Sequence, residues 1–201
     1  MTKKLVLIGF DLEVLELLED NKLIEIVGYV DNSNTFDKLS YLGNDEFFIE
    51  SKDKDIEVIL SMDIPKVRAK LYELYKNCIA NIIAHSTSNI SKRAKVGYGT
   101  VLQANTFVSA EVTIGKGCFL NHSSSIHHES KMGDFTILAP NSLVLGRVEI
   151  GKKCYIGAGA IIKENIIIGD NVVIGAGAVV VNNISANSIV VGNPAKTYLG
   201  V

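Results

Sequence analysis

The chain contains no tryptophan, and aromatic residues make up only 7% of its 201 positions. Stacking on nucleic-acid bases therefore has few platforms. Neither sign of charge dominates: 20 basic and 22 acidic residues leave a net charge of −2. Without a basic bias or a Lys/Arg block, neither nucleic acid nor an anionic membrane is an expected partner. The longest apolar run, Val172 to Val181, falls well short of the roughly 17 residues that a membrane helix needs. The start, Met1 to Lys4 followed by Leu5 to Ile8, is too brief for a secretory leader, so a cytoplasmic protein is expected. The three cysteines, Cys78, Cys118 and Cys154, form no CxxC pair and no metal-ligand spacing, so neither a disulfide framework nor a metal is expected.

What is present falls into two halves. Residues 1 to about 83 read as a small α/β unit. Lys4 to Ile8 is a short buried strand ended by Gly9, and Asp11 to Asp20 has helical spacing with Leu12, Leu15 and Leu18 on one side. Ile24 to Val30 is a second strand, closed by Asp31, Asn32 and Ser33. Ile56 to Leu60 is a third. Pro65 can open a helix reaching about Tyr75, and Asn81 to Ile83 looks like a further strand. Strands alternating with helices predict a small parallel, Rossmann-like sheet.

Residues 84–201 follow another rule. From Ile90, steps of six meet Val96, Leu102, Val108, Ile114, Leu120, Ile126, Met132, Leu138, Val144, Ile150, Ile156, Ile162, Ile168, Ile174 and Val180, which is 16 hexads without an insertion. The fifth position of each hexad, through Ile184, is mostly small or β-branched, and Gly follows the aliphatic residue at 97, 115, 133, 151, 157, 169 and 175. This period predicts a parallel β-helix. The aliphatic residue points inward, the small one fits the corner, and Gly relieves the turn. Three hexads make one triangular coil of about 18 residues, stacked about 4.8 Å apart.

The stretch from Asn121 to Asp134, NHSSSIHHESKMGD, resembles the sugar acetyltransferases of the left-handed β-helix superfamily. These include the sialic acid O-acetyltransferases and the N-acetyltransferases of nucleotide-linked 4-amino-4,6-dideoxy sugars (the bacillosamine type). The resemblance runs the length of the chain, to a closing Gly192-Asn193-Pro194-Ala195-Lys196. It implies a left-handed coil, a homotrimer and acetyl-CoA as co-substrate. It makes His128 the general base and Glu129 the residue that orients it. Histidine, with an ordinary pKa of about 6.5, can accept a proton near neutral pH. One coil above His128 stands Gly146, whose N–H the resemblance makes the oxyanion donor. Acetyl-CoA would then lie along the later coils between two subunits, against Gly146, the backbone of Ile137 and Ala158, and Lys196. Asn121 matches an asparagine near the substrate. Gly9, Asp31 and Asn32 match the nucleotide-sugar end.

The turn after the first strand departs from the family pattern Gly-x-x-Gly-His-Gly. Only Gly9 is present, and Glu13 stands where the histidine would be. Asp11 and Glu13 suit a diphosphate poorly, and no dinucleotide fingerprint is present. Four further readings remain open. O-acetylation would use the same residues. His127 is an alternative base. His122 and His127 have the spacing of two ligands in metal-dependent carbonic anhydrases of this coil type, although Ser86 and Ala104 stand where a third would fall and His85, at the junction of the two halves, is out of phase by one. A non-catalytic scaffold would have the same coil.

Overall fold

The computed structural model describes residues 2–19, 21–51, 53 and 55–198. Met1, Asp20 and residues 199–201, which belong to segments discussed above, lie outside the described residues. The first half is a parallel sheet of β1 (Lys3–Ile8), β2 (Ile24–Val30) and β3 (Ile56–Leu60), with β1 central. Leu5, Val6 and Leu7 are fully buried, as a continuous apolar run in a sheet covered on both sides should be. Helix α1 (Leu12–Glu19) begins where the Asp11 carboxylate accepts the Val14 N–H at 3.0 Å, an N-cap. Val14, Leu15, Leu17 and Leu18 form its buried face, whereas Leu12, expected inside, is 52% exposed. At 100° per residue, Leu12 lies nearly opposite the centre of that stripe.

Helix α2 (Asp45–Ser51) was not legible as a helix. It is short and is started by the Asn44 side chain, which accepts the Phe47 N–H at 3.0 Å. Helix α3 (Pro65–Leu74) starts at the expected proline. The strand expected at Asn81–Ile83 as part of this sheet is not there. Ile79 alone bridges β3 at Val58, and Ile83–Ala84 pairs instead with Val101–Leu102, as the first strand of the coil.

The coil has three parallel sheets. The first face carries strands such as Phe119–Leu120, the second Ser125–Ile126 and the third Lys131–Met132, each paired with the strand 18 residues on. Inside, the aliphatic positions and the small fifth positions form one continuous core. The strict period gives way at the top. There Ile168 pairs with Ile184 and Val173 with Ile189, sixteen residues on. Ile184, expected at a small corner position, therefore takes the inward aliphatic place in a coil two residues shorter.

The glycines that follow the aliphatic residues do not relieve the turns. Positive φ falls two residues later, at Gly99, Asn105, Glu111, Gly117, Ser123, Glu129, Phe135, Asn141, Arg147 and onward every six residues to Gly177. The glycines at 97, 133 and 157 are needed for another reason. A Cβ at Gly133 would stand 2.6 Å from the Gly151 carbonyl carbon of the next coil. Stacking at strand distance leaves no room for it.

The α/β unit rests on the first face. Val101, Phe119 and Ile137 pack with Leu5, Leu7, Leu18 and Ile59. At the edge of this contact lies Arg68 of α3, with no exposed surface. Its Nε donates to Gly117 O at 2.6 Å, its Nη1 to Leu60 O at 2.7 Å and Met62 O at 3.0 Å, and its Nη2 to Cys118 O at 3.3 Å and Gly99 O at 3.4 Å. Burial pulls its pKa down to about 10, which still leaves it charged at neutral pH. The ring of Phe119 covers it at 5.0 Å. Among the described residues, no helix is long and apolar enough to cross a membrane.

Replacing Arg68 by Met should remove the side-chain donors of these buried carbonyls, of which Cys118 O keeps only the Val101 N–H. We expect a loss of about 3–5 kcal/mol in denaturant unfolding. A loss below about 1 kcal/mol would show that the carbonyls find other partners.

Candidate functional site

His128 and Glu129 lie on the turn between Ser125–Ile126 and Lys131–Met132, at the corner joining the second and third faces. Glu129 holds the positive-φ place of that turn, at 61°, which aims its side chain out of the coil beside its neighbour. His128 Nδ1 lies 3.0 Å from Glu129 Oε2. An ionised carboxylate can only accept, so in the neutral ring this contact puts the proton on Nδ1 and leaves a lone pair on Nε2. This hydrogen bond, and then the nearby Arg147 charge, hold the Glu129 carboxyl below its usual range. The His128 side chain is 50% exposed, so Nε2 can be reached from solvent.

Gly146 occupies the same corner one coil above. A Cβ built there would meet His128 Cε1 and Nε2, each at 2.6 Å. Its φ is not in the left-handed region, so the turn does not require glycine; the imidazole does. Among the described residues, the Gly146 N–H donates to no acceptor within the chain. The corner thus brings together a lone pair, an orienting carboxylate and an unused N–H, the set needed to remove a proton while stabilising a developing oxyanion.

Gly9, Asp31 and Asn32 also come together, at the carboxyl ends of the α/β strands. They line a cavity of about 210 Å³ with Asp45, Met62 and Lys70. This crevice is where open α/β sheets bind ligands. Asp31, however, is turned to the backbone: one oxygen accepts the Phe10 N–H at 3.0 Å and the other the Asn32 N–H at 2.6 Å. Lys70, the cation of this cavity, gave no signal in the sequence, because only the packing of α3 brings it to the strand ends. Asp11 and Glu13 do not line the cavity. Asp11 caps α1, and Glu13 points to the coil, 3.3 Å from His122 Nε2.

The remaining candidates are scattered. Asn121 is buried at the corner between the first and second faces, and its Nδ2 has no partner. Ala158 lies at that same corner two coils higher and is exposed, and the adjoining Gly159 and Gly177 face open space. Lys196 is exposed in the short strand that folds back on Ile189–Val191. Ile137 does not join any of them. It is fully buried under the α/β unit, and its N–H is bonded to Cys154 O at 2.9 Å, so a molecule lying on the coil surface cannot touch it. A cavity of about 560 Å³ between the start of α3 and the upper first face is lined by none of the candidate residues.

The other histidines are engaged elsewhere. The His127 ring lies 5.5 Å from that of Phe107, and His85 Nδ1 lies 2.9 Å from Thr87 Oγ1. Among the described residues, no group of three or more His, Cys, Asp or Glu could hold a metal ion. Cys118 and Cys154 fill the core, and burial pushes their thiols up to about 12 and about 11.

Residues 147–182 match the family model of the bacterial transferase hexapeptide (six repeats). No curated protein matches the sequence. Solved structures do share the fold over nearly the whole chain. The acetyltransferase domain of PglB from Neisseria gonorrhoeae superposes with a TM-score of 0.92 at 24% identity, covering 98% of this chain and 100% of that one. PerB from Caulobacter crescentus, solved with CoA and GDP-perosamine, gives 0.90 at 22%, covering 97% of each chain. WeeI from Acinetobacter baumannii gives 0.89 at 26%, covering 96% of this chain and 99% of that one. The chain thus carries the hexapeptide repeat on the fold of these proteins.

Because the imidazole fills the space that a Cβ at Gly146 would take, a Gly146→Ala variant should fold normally but displace the ring. The His128 Hε1 resonance should move while that of His85 stays. An unmoved His128 resonance would show that the ring does not rest on this glycine.

Proposed function

We propose that this protein is an acetyl-CoA-dependent N-acetyltransferase acting on the amino group of a nucleotide-linked 4-amino-4,6-dideoxy sugar. In this reading it is a homotrimer of left-handed β-helices. The observation that carries the reading is the stacking of Gly146, with its unused N–H, directly on the imidazole whose Nδ1 is bonded to Glu129. The shared fold adds support, since PglB of that fold was solved with acetyl coenzyme A and PerB with CoA and GDP-perosamine.

Acetyl-CoA supplies an acetyl thioester, whose carbonyl carbon is the electrophile. His128 Nε2 accepts the proton that the amine loses as its nitrogen bonds to that carbon. Glu129 accepts the Nδ1 hydrogen bond throughout, which stabilises the imidazolium and fixes the ring. The Gly146 N–H donates to the carbonyl oxygen as it gains charge, an interaction worth about 3–4 kcal/mol at such a position. His128 then returns its proton to the sulfur as the carbon–sulfur bond breaks. The exposed corner at Ala158, Gly159 and Gly177 leaves room for the extended arm of the coenzyme. Among the candidates at the nucleotide end, Lys70 offers the cation that the altered Gly9 turn does not.

The two ends of the acceptor site lie far apart within one chain. The α/β unit covers the first face, while His128 is on the vertex opposite that face. A sugar held at Gly9, Asn32 and Lys70 would therefore meet the base of a second copy, which supports a trimer with shared sites.

With UDP-, dTDP- and GDP-4-amino-4,6-dideoxy sugars and free sialic acid offered in a thiol-release assay, we expect turnover of one amino sugar. His128→Ala should lower it by at least about 100-fold. Turnover of sialic acid alone would replace N- by O-acetylation, and no turnover with no acetyl-CoA binding by calorimetry would remove the transferase reading. Chains carrying His128→Ala and Lys70→Glu, each inactive alone, should regain about a quarter of wild-type activity when assembled together at random. No recovery would place base and acceptor pocket in the same chain.

A further inference from the structure

The positive-φ residues of the corner that carries His128 form a vertical column, because each coil repeats the same turn. From the bottom it contains Glu111, Glu129, Arg147 and Asn165, with φ of 60°, 61°, 57° and 61°. Below Glu111 stands Arg93, whose Nη1 lies 3.9 Å from Glu111 Oε1. Above Glu129, Arg147 Nη1 lies 3.5 Å from Glu129 Oε2, and Arg147 Nε donates to Asn165 Oδ1 at 2.9 Å. Two carboxylates thus sit on adjacent coils, about 4.8 Å apart along the backbone, and each is drawn away from the other by an arginine.

The arginine at 147 reaches the same carboxylate oxygen that meets the His128 ring, Oε2. We propose that Arg147 is a positioning residue for His128, acting through Glu129. Asn165 fixes the guanidinium from above, and the guanidinium holds Oε2 beside Nδ1. Without it, the nearest charged neighbour of Glu129 in the column is Glu111, whose repulsion would turn the carboxylate out of the ring plane. Nδ1 would then lose its acceptor, and nothing would keep the proton on that nitrogen rather than on Nε2, where it blocks base catalysis. The other charged or titratable groups at this corner are His127, beside the ring, Glu164, one coil above Gly146, and Lys163 and Lys92, two coils above and below; among the described residues, none of them pairs with Glu129. The Arg147–Glu129 pair is exposed on both sides, 51% and 55%, so it contributes little to stability. Its use is orientation.

The inference rests on His128 being the base, so its test has one measurement that does not need turnover. Long-range ¹⁵N–¹H spectra of the four imidazoles, assigned with single His→Asn variants, report which nitrogen of neutral His128 is protonated. The wild type should show Nδ1–H. Arg147→Gln should show a mixture shifted towards Nε2–H with an unchanged melting temperature, and Arg147→Lys should largely restore Nδ1–H. With the amino sugar that the wild type turns over, Arg147→Gln should lower kcat about ten-fold, the size typical of losing a group that orients a reacting side chain, and leave KM for acetyl-CoA unchanged. If His128 keeps Nδ1–H in Arg147→Gln, the inference is overturned, whatever the activity. If no acceptor is turned over by the wild type, the tautomer measurement still decides the coupling, and only the transferase reading falls.

Discussion

The buried guanidinium of Arg68 is the interaction on which the arrangement of the two halves depends. Its hydrogen bonds run to Leu60 and Met62 in the α/β unit and to Gly99, Gly117 and Cys118 in the coil. Those coil carbonyls belong to the corner between the third and first faces, where the chain turns from one strand to the next; the Cys118 carbonyl also accepts the Val101 N–H at 3.0 Å. A buried charge is costly unless every donor is used, and here each nitrogen finds at least one carbonyl. The consequence is directional. Only one seating of α3 on the coil meets this geometry, so the strand ends at Gly9 and Asn32, and Lys70 of α3 beside them, are fixed relative to the coil.

The coil supplies the second constraint, which is vertical register. A repeat of 18 residues places like positions in columns a strand spacing apart. His128 and Gly146 share one column, and Glu129, Arg147 and Asn165 share the next. Chemistry at this corner therefore does not depend on a flexible loop closing over it. It depends on backbone turns whose conformation repeats, with one residue per turn in the left-handed region. A glutamate in that conformation costs some energy; the core beneath, continuous from Leu102 to Val190, holds the turn in place.

The two constraints act on different parts of the proposed reaction. The corner column sets base, oxyanion donor and carboxylate within one chain. The seating of the α/β unit puts the acceptor cavity on the far side of the same chain from that column. This separation is a property of a triangular coil: whatever rests on one face is opposite the vertex formed by the other two.

The coil was legible in the sequence, because a hexad period is imposed by backbone geometry and leaves its mark at every inward position. That Gly146 stands one coil above His128 was legible for the same reason, since residues 18 apart must stack; the roles expected of His128 and Glu129 came from the family resemblance. What required the tertiary structure was everything decided by packing between the halves. The family resemblance made Ile137 a coenzyme contact, yet it lies beneath the α/β unit. Ile83 read as a strand of the sheet but pairs with the coil. Ile184 fell in the small position of a regular hexad, but the last coil is shorter and turns it inward. Asp31 matched a ligand contact, and although it lines the cavity, both its oxygens accept backbone N–H groups. Arg68 and Lys70 gave no signal in the sequence; one is buried among carbonyls and the other lines the cavity. A local period can be read along a chain because each residue obeys it independently. Contacts between two units depend on which of several faces is covered, and only the packing of one on the other decides that.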